Sequence, residues 1–294
     1  MTEDLIINFA PTGMIPTRDL TAHAPLSVNE IVDDVLRACE IGITMVHLHA
    51  REPENYVPTY KKDIYASIIE KIRKEQPELV ICVSLSGRNF SEIEKRSDPL
   101  MLEGSLKPDM GSLTLSSLNF NKTASVNSPA TVQALARIMQ DKGVVPELEV
   151  FDLGMINYAG YLKRKKLIEP PFYFNILLGN IATAQSNLMH AALMIKDLPA
   201  NSLWSLAGIG TSQLNMNTVA IASGGGVRVG IEDNIWFDEK KTRLTTNAQL
   251  LERIHAMAKL MGRKVMTAAD FREKMNLMPG NGLYGRKMAV SEAS

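Results

Sequence analysis

The chain has 294 residues, 45% of them hydrophobic and 22% charged, with 32 basic and 32 acidic side chains. That size and balance suit one large α/β barrel and exclude a globally disordered chain. A formal net charge of zero gives no electrostatic case for nucleic acid or an anionic membrane as partner.

The N-terminus "MTEDLIINFAPTG" has no basic segment before its short apolar run, so it reads as a first strand and not as a signal peptide. No apolar run approaches the ~18–20 residues of a membrane span, and the expected location is the cytoplasm. Cys39 and Cys82 both sit in apolar runs and read as buried thiols, not as a disulfide.

Strand candidates follow in chain order at 5–10, 44–50, 79–86, 111–117, 148–152, 172–179, 203–210 and 226–233. Amphipathic runs fill the gaps. "SVNEIVDDVLRACEIG" opens with a capping box, Ser27 to Glu30, and ends before Gly42. "SPATVQALARIMQDKG" has Ser128 as N-cap, Pro129 in the first turn and Gly143 after the last. "TTNAQLLERIHAMAKLMG" has a second capping box, Thr246 to Gln249. Eight βα units without a linker predict a (β/α)₈ TIM barrel, one domain over 1–294. A doubly wound open sheet would carry a glycine-rich turn after its first strand, and "APTGMIPT" has one glycine. From about residue 264 a tail starts helical and ends polar, and is expected to pack on a neighbouring subunit or to fray.

In such a barrel, function sits at the C-terminal ends of the strands. Strand 2 offers His47 and His49, strand 3 Ser84, Ser86 and Arg88, strand 4 Thr114, strand 5 Glu149 and Asp152, and strand 8 Arg228, Glu232 and Asp233. Residues two apart on a strand face the same way, so His47 and His49 converge at the open mouth. Two imidazoles there suit a divalent transition metal, zinc most readily, with Glu232 as third ligand and a position left open for substrate. The alternative is two hydrogen-bonded histidines in a polar layer. His190 and His255 fall in helical patterns and His23 in a loop. Arg228 shares a face with Glu232 by the period of two and requires an acidic partner or an anionic substrate. Gly224, Gly225 and Gly226 precede strand 8 and read as a tight turn, not a phosphate cradle.

"VHLHAR", "GSLTLSSLNF", "FDLGM", "GIG" and "GGGVRVGIEDN", in this order, resemble the β-keto acid cleavage enzyme family, typified by 3-keto-5-aminohexanoate cleavage enzyme. The resemblance runs through "TAADFREKMNL" and implies a zinc-dependent (β/α)₈ barrel. Such an enzyme condenses a β-keto acid with acetyl-CoA to give acetoacetate and a new acyl-CoA, and works as a homo-oligomer. It implies His47, His49 and Glu232 as Zn²⁺ ligands, Asp233 as general base and Arg228 as the residue that orients and tunes it. Ser84 or Ser86 would hold the substrate carboxylate, with Thr114 nearby. The amine-specific member carries a glutamate after the first-strand glycine, whereas this chain has Met14 and Ile15. The cationic 5-amino substrate is therefore not expected; a neutral or apolar side chain is, with an acidic tail read by Arg18, Arg88 or Arg51 as the alternative. An amidohydrolase-type zinc hydrolase would place its His-x-His on strand 1 with more histidines at later strand ends. A non-catalytic barrel would bind metal or acyl-CoA without converting any β-keto acid.

Overall fold

The computed structural model describes residues 4–287. Eight parallel strands close into a barrel. They are β1 (Ile7–Phe9), β2 (Met45–Leu48), β3 (Val80–Val83), β4 (Met110–Thr114), β5 (Val145–Val150), β6 (Phe172–Leu178), β7 (Ser202–Gly208) and β8 (Gly226–Val229). β8 pairs with β1 to complete the ring. The helices are α1 (Val28–Ile41), α2 (Lys62–Glu75), α3 (Ile93–Ser97), α4 (Pro129–Lys142), α5 (Leu153–Arg164), α6 (Leu188–Lys196), α7 (Ser212–Ala222) and α8 (Asn247–Leu260). Each follows the strand of its own number. None is long and apolar enough to cross a membrane.

Local chemistry sets the helix ends. Both expected capping boxes form, and Ser128 accepts from Thr131 N–H at the start of α4. Ile31, Val32, Val35 and Ala38 turn one face of α1 onto the barrel wall. The glycine triplet is a turn, as its position before β8 predicts. A Cβ on Gly225 would lie 2.1 Å from the Trp204 ring, so the close approach itself demands glycine.

Alternation along the strands stratifies the barrel interior. Met45, Val80, Met110, Val145 and Tyr173 form an apolar floor. Two residues further along the same strands come His47, Cys82, Ser112, Glu147 and Asn175, and beyond these His49, Ser84, Thr114 and Glu149. The interior thus climbs from apolar to polar toward the mouth.

Strand boundaries and two added hairpins differ from the sequence-based expectation. β5 begins at Val145, because Pro146 sits opposite Gly111 in the ladder where a strand interior would normally exclude proline. β8 stops at Val229, and 230–234 turns across the end of β1, with Glu232 N–H donating to Ala10 O. Two small hairpins, Ala50–Arg51 with Pro58–Thr59 and Leu118–Asn119 with Ala124–Ser125, stand at the mouth where no strand was expected.

The tail closes the floor of its own barrel. Met266, Phe271 and Met275, the last two on or beside α9 (Ala268–Lys274), complete the apolar floor. The Arg272 fork meets buried Asp109 at 2.8 and 2.9 Å. Through residue 287 the tail thus packs on its own barrel and does not fray; its last seven positions, 288–294, lie outside the described residues.

Candidate active site

The upper polar layers of the interior form one connected arrangement. His47 Nδ1–H donates to Glu147 Oε2 at 2.6 Å, with both side chains fully shielded from water. The other Glu147 oxygen accepts from Asn8 Nδ2 at 2.6 Å and Asn175 Nδ2 at 2.7 Å. Burial alone would raise the Glu147 carboxyl, but the His47 charge and hydrogen bond outweigh it and hold the group well below the usual carboxylate range. Burial depresses the His47 imidazole, and Glu147 reverses that to a net upward shift. With Nδ1 committed to a carboxylate, Nε2 is the nitrogen left for a metal.

His49 lies 5.2 Å from His47, ring centre to ring centre. Burial lowers its pKa against the opposing pull of Glu232, which favours the neutral imidazole a metal needs. His49 Nε2 lies 3.2 Å from Glu232 Oε1. One donor atom from each of His47, His49 and Glu232 falls within 4.8 Å of the others. Glu232 Oε2 is shielded from water and has no hydrogen-bond partner among the described residues. A buried carboxylate oxygen without a donor, on a side chain whose other oxygen lies beside His49, fits a divalent cation. His47, Cys82 and Glu147 also cluster, but the hydrogen bonds to Glu147 already satisfy that set.

Glycine brings Glu232 to this place. Gly13 has φ +65°, and a Cβ on it would lie 2.4 Å from Glu232 Cγ. The turn after β1 and the turn after β8 can approach this closely only without a side chain at position 13.

Arg228, 2% exposed, binds three carboxylates. Its Nε donates to Asp233 Oδ2 at 3.0 Å, Nη2 to Glu232 Oε1 at 2.6 Å and Nη1 to Glu149 Oε1 at 3.3 Å. Thr114 Oγ1 donates to the second Glu149 oxygen at 2.7 Å. Burial raises the pKa of Asp233, with Arg228 opposing and Glu232 reinforcing. Burial also raises Glu232, but His49 and Arg228 outweigh it and hold that group well down. Two adjacent carboxyls are thus driven apart, Glu232 toward the ionised form and Asp233 toward the protonated one.

Met14, Ile15, His49, Ser84, Ser86, Arg88, Thr114, Arg228, Glu232 and Asp233 all line a single cavity of about 540 Å³ at the mouth, and His47 lies buried beneath it. Ser84 is buried and, among the described residues, its hydroxyl has no hydrogen-bond partner, whereas Ser86 Oγ accepts from Arg88 N–H at 3.3 Å. The acidic group that Arg228 requires is supplied threefold. Arg228 and Glu232 do not meet along one strand, however, since Glu232 comes from the turn beyond β8. Sequence reasoning missed Glu147 and gave Glu149 no role. The spacing Glu147-x-Glu149 repeats that of His47-x-His49, and this signal lay open to reading once β5 was allowed to start before Pro146.

The fold and cavity define a (β/α)₈-barrel enzyme with a histidine, histidine and carboxylate donor set at its catalytic face. A family model for beta-keto acid cleavage enzymes matches residues 4–277, and the chain belongs to that family. It is 34% identical over 278 residues to a 3-keto-5-aminohexanoate cleavage enzyme of Fusobacterium nucleatum, spanning 94% of this chain and 99% of that protein. It is also 34% identical over 289 residues to a 3-oxoadipate:acetyl-CoA acetyltransferase of Cupriavidus necator, spanning 97% and 99%. Among solved structures, apo ObcA superposes with a TM-score of 0.75 at 18% identity, over 87% of this chain and 66% of that one, a likeness of fold.

Proposed function

We propose that this chain is a zinc-dependent enzyme that condenses a β-keto acid with acetyl-CoA, releasing acetoacetate and a new acyl-CoA. The observation that carries this reading is the grouping of His47, His49 and Glu232, the last with Oε2 buried and without a donor, and Asp233 lining the same cavity. The name of the Cupriavidus relative describes acetyl-CoA-dependent chemistry on a β-keto acid.

His47, His49 and Glu232 would hold the metal. Bound there, zinc supplies Lewis-acid polarisation of the substrate's keto oxygen. Ser84, with its free hydroxyl, is better placed than Ser86 to donate to the substrate carboxylate. Asp233, its affinity for protons raised by burial, takes the proton from C2. Arg228 keeps that carboxylate aimed and tethers it to Glu149, which Thr114 fixes in turn. The C2 carbanion attacks the thioester carbonyl of acetyl-CoA and expels the CoA thiolate. The thiolate then attacks the former keto carbon, the C2–C3 bond breaks to release the acyl-CoA, and the C2 carbanion takes back the proton held by Asp233 to give acetoacetate. Neither cysteine is needed; burial pushes Cys39 up to about 12 and Cys82 well above its ordinary value, so both stay inert thiols.

Met14 and Ile15 put no carboxylate beside the cavity, which argues against a cationic substrate. The outer face of α6 exposes Leu188, Met189 and Leu193, which supports a homo-oligomer. The test is a panel of β-keto acids with acetyl-CoA, scored for acetoacetate and new acyl-CoA. Zinc-dependent formation of both products is expected, and their absence across the panel would remove the proposal.

A further inference from the structure

Arg88 enters the cavity from the loop after β3. Its guanidinium lies on the Phe120 ring, 3.6 Å from the ring centre. It lines the same space as His49, Ser84, Glu232 and Asp233. Among the described residues its side chain makes no hydrogen bond and no ion pair, and its Nε is shielded from water without an acceptor. Every other arginine near the mouth is partnered. Arg228 binds three carboxylates. Arg51 donates to the carbonyls of Gly13, Pro16 and Tyr56. Arg18 pairs with Glu30 at 2.7 Å and does not line the cavity.

A half-buried guanidinium held over a ring, with its fork unpaired, is an anion receptor in waiting. Three anionic groups reach such a cavity. The carboxylate shared by all β-keto acids belongs beside Ser84 and the metal-binding donors. The phosphates of CoA hang at the far end of the pantetheine arm, away from the thioester. The third is an acidic group at the distal end of the keto acid, and Met14 and Ile15 offer apolar lining for the methylenes that lead to it.

We propose that Arg88 reads a distal carboxylate, and that the preferred substrate is a dicarboxylic β-keto acid. The proposal rests on the reading of the cavity as a β-keto acid site, and it replaces the neutral or apolar side chain that Met14 and Ile15 alone suggest. Burial lowers the Arg88 pKa, and the charges of Glu232, Glu149 and Asp233 oppose that shift, which places the guanidinium within electrostatic range of the reacting end.

The test pairs 3-oxoadipate with 3-oxohexanoate, acids of equal chain length that differ in the distal carboxylate. Calorimetric titration of the zinc-loaded protein without acetyl-CoA reads binding alone. The wild type should bind 3-oxoadipate at least about tenfold more tightly. Arg88→Gln should abolish that preference and leave 3-oxohexanoate affinity within about threefold, and Arg88→Lys should restore part of it. Equal binding of both acids by the wild type would overturn the proposal. So would an Arg88→Gln variant that weakens both acids alike, since Arg88 would then hold the shared carboxylate. Addition of acetyl-CoA separates the two levels: binding preference without acetoacetate from either acid refutes the cleavage reading and leaves the distal-carboxylate recognition intact.

Discussion

The imidazole of His47 on β2 and the carboxylate of Glu147 on β5 meet across the barrel interior at 2.6 Å, both fully shielded from water. This contact fixes the ring's tautomer and orientation, so the nitrogen proposed to face the metal is set by a residue 100 positions away. Glu147→Gln replaces an acceptor-only group with one that must turn an amide toward His47 or toward the amides of Asn8 and Asn175. Zinc affinity, read by competition with a chromogenic chelator, should fall about 10- to 100-fold. Unchanged affinity would show that Glu147 only fills the core.

Gly13 should be equally intolerant. Gly13→Ala drives a methyl into Glu232 Cγ and imposes a positive φ on alanine. A stability loss of about 1–2 kcal/mol is expected by denaturant titration, together with weaker zinc binding. A variant that loses stability but keeps wild-type zinc affinity would mean that Glu232 can shift without consequence for the metal.

Asp233→Asn preserves an acceptor for Arg228 and removes the proposed base. Bound zinc and keto-acid affinity should persist while turnover falls about 10²- to 10⁴-fold. Wild-type turnover in that variant would exclude Asp233 as the proton acceptor.

A fourth expectation concerns stability against pH. Asp34 on α1 accepts from Asn247 Nδ2 at 2.6 Å, and Asn247 also ties the ends of β1 and β8 through Pro11 O and Ile231 N–H. Burial raises the Asp34 pKa from 3.8 to about 6, with the Asn247 hydrogen bond opposing. Between these values the folded chain keeps a proton that the unfolded chain has lost. The contribution to stability is therefore full below the unfolded pKa and is lost as pH rises through the folded one. Asp34→Asn should be more stable than wild type near pH 8 by about 1 kcal/mol, the difference vanishing toward about pH 4. A pH-independent difference would refute the assignment to Asp34.

Much of this architecture was legible in the chain because its signals are local. Ser27 with Glu30 and Thr246 with Gln249 announce their helices in four residues. His47 and His49 announce a shared face by alternation alone. What escaped is what proteins settle over long range. Pro146 masked the start of β5 and with it Glu147, because no local rule says that a proline will be tolerated opposite Gly111. The pairing of Gly13 with Glu232 joins opposite ends of the chain through barrel closure, which no window of sequence contains. The tail looked expendable because its partners, Asp109 among them, become neighbours only once the floor of the barrel exists.

The most direct test of the account is elemental analysis of the purified wild type and of His47→Ala, His49→Ala and Glu232→Gln. About one equivalent of zinc per chain in the wild type, lost in all three variants, is the expected result for an open three-ligand site. A metal-free wild type that still cleaves a β-keto acid, or full zinc occupancy in any of the three variants, would contradict it.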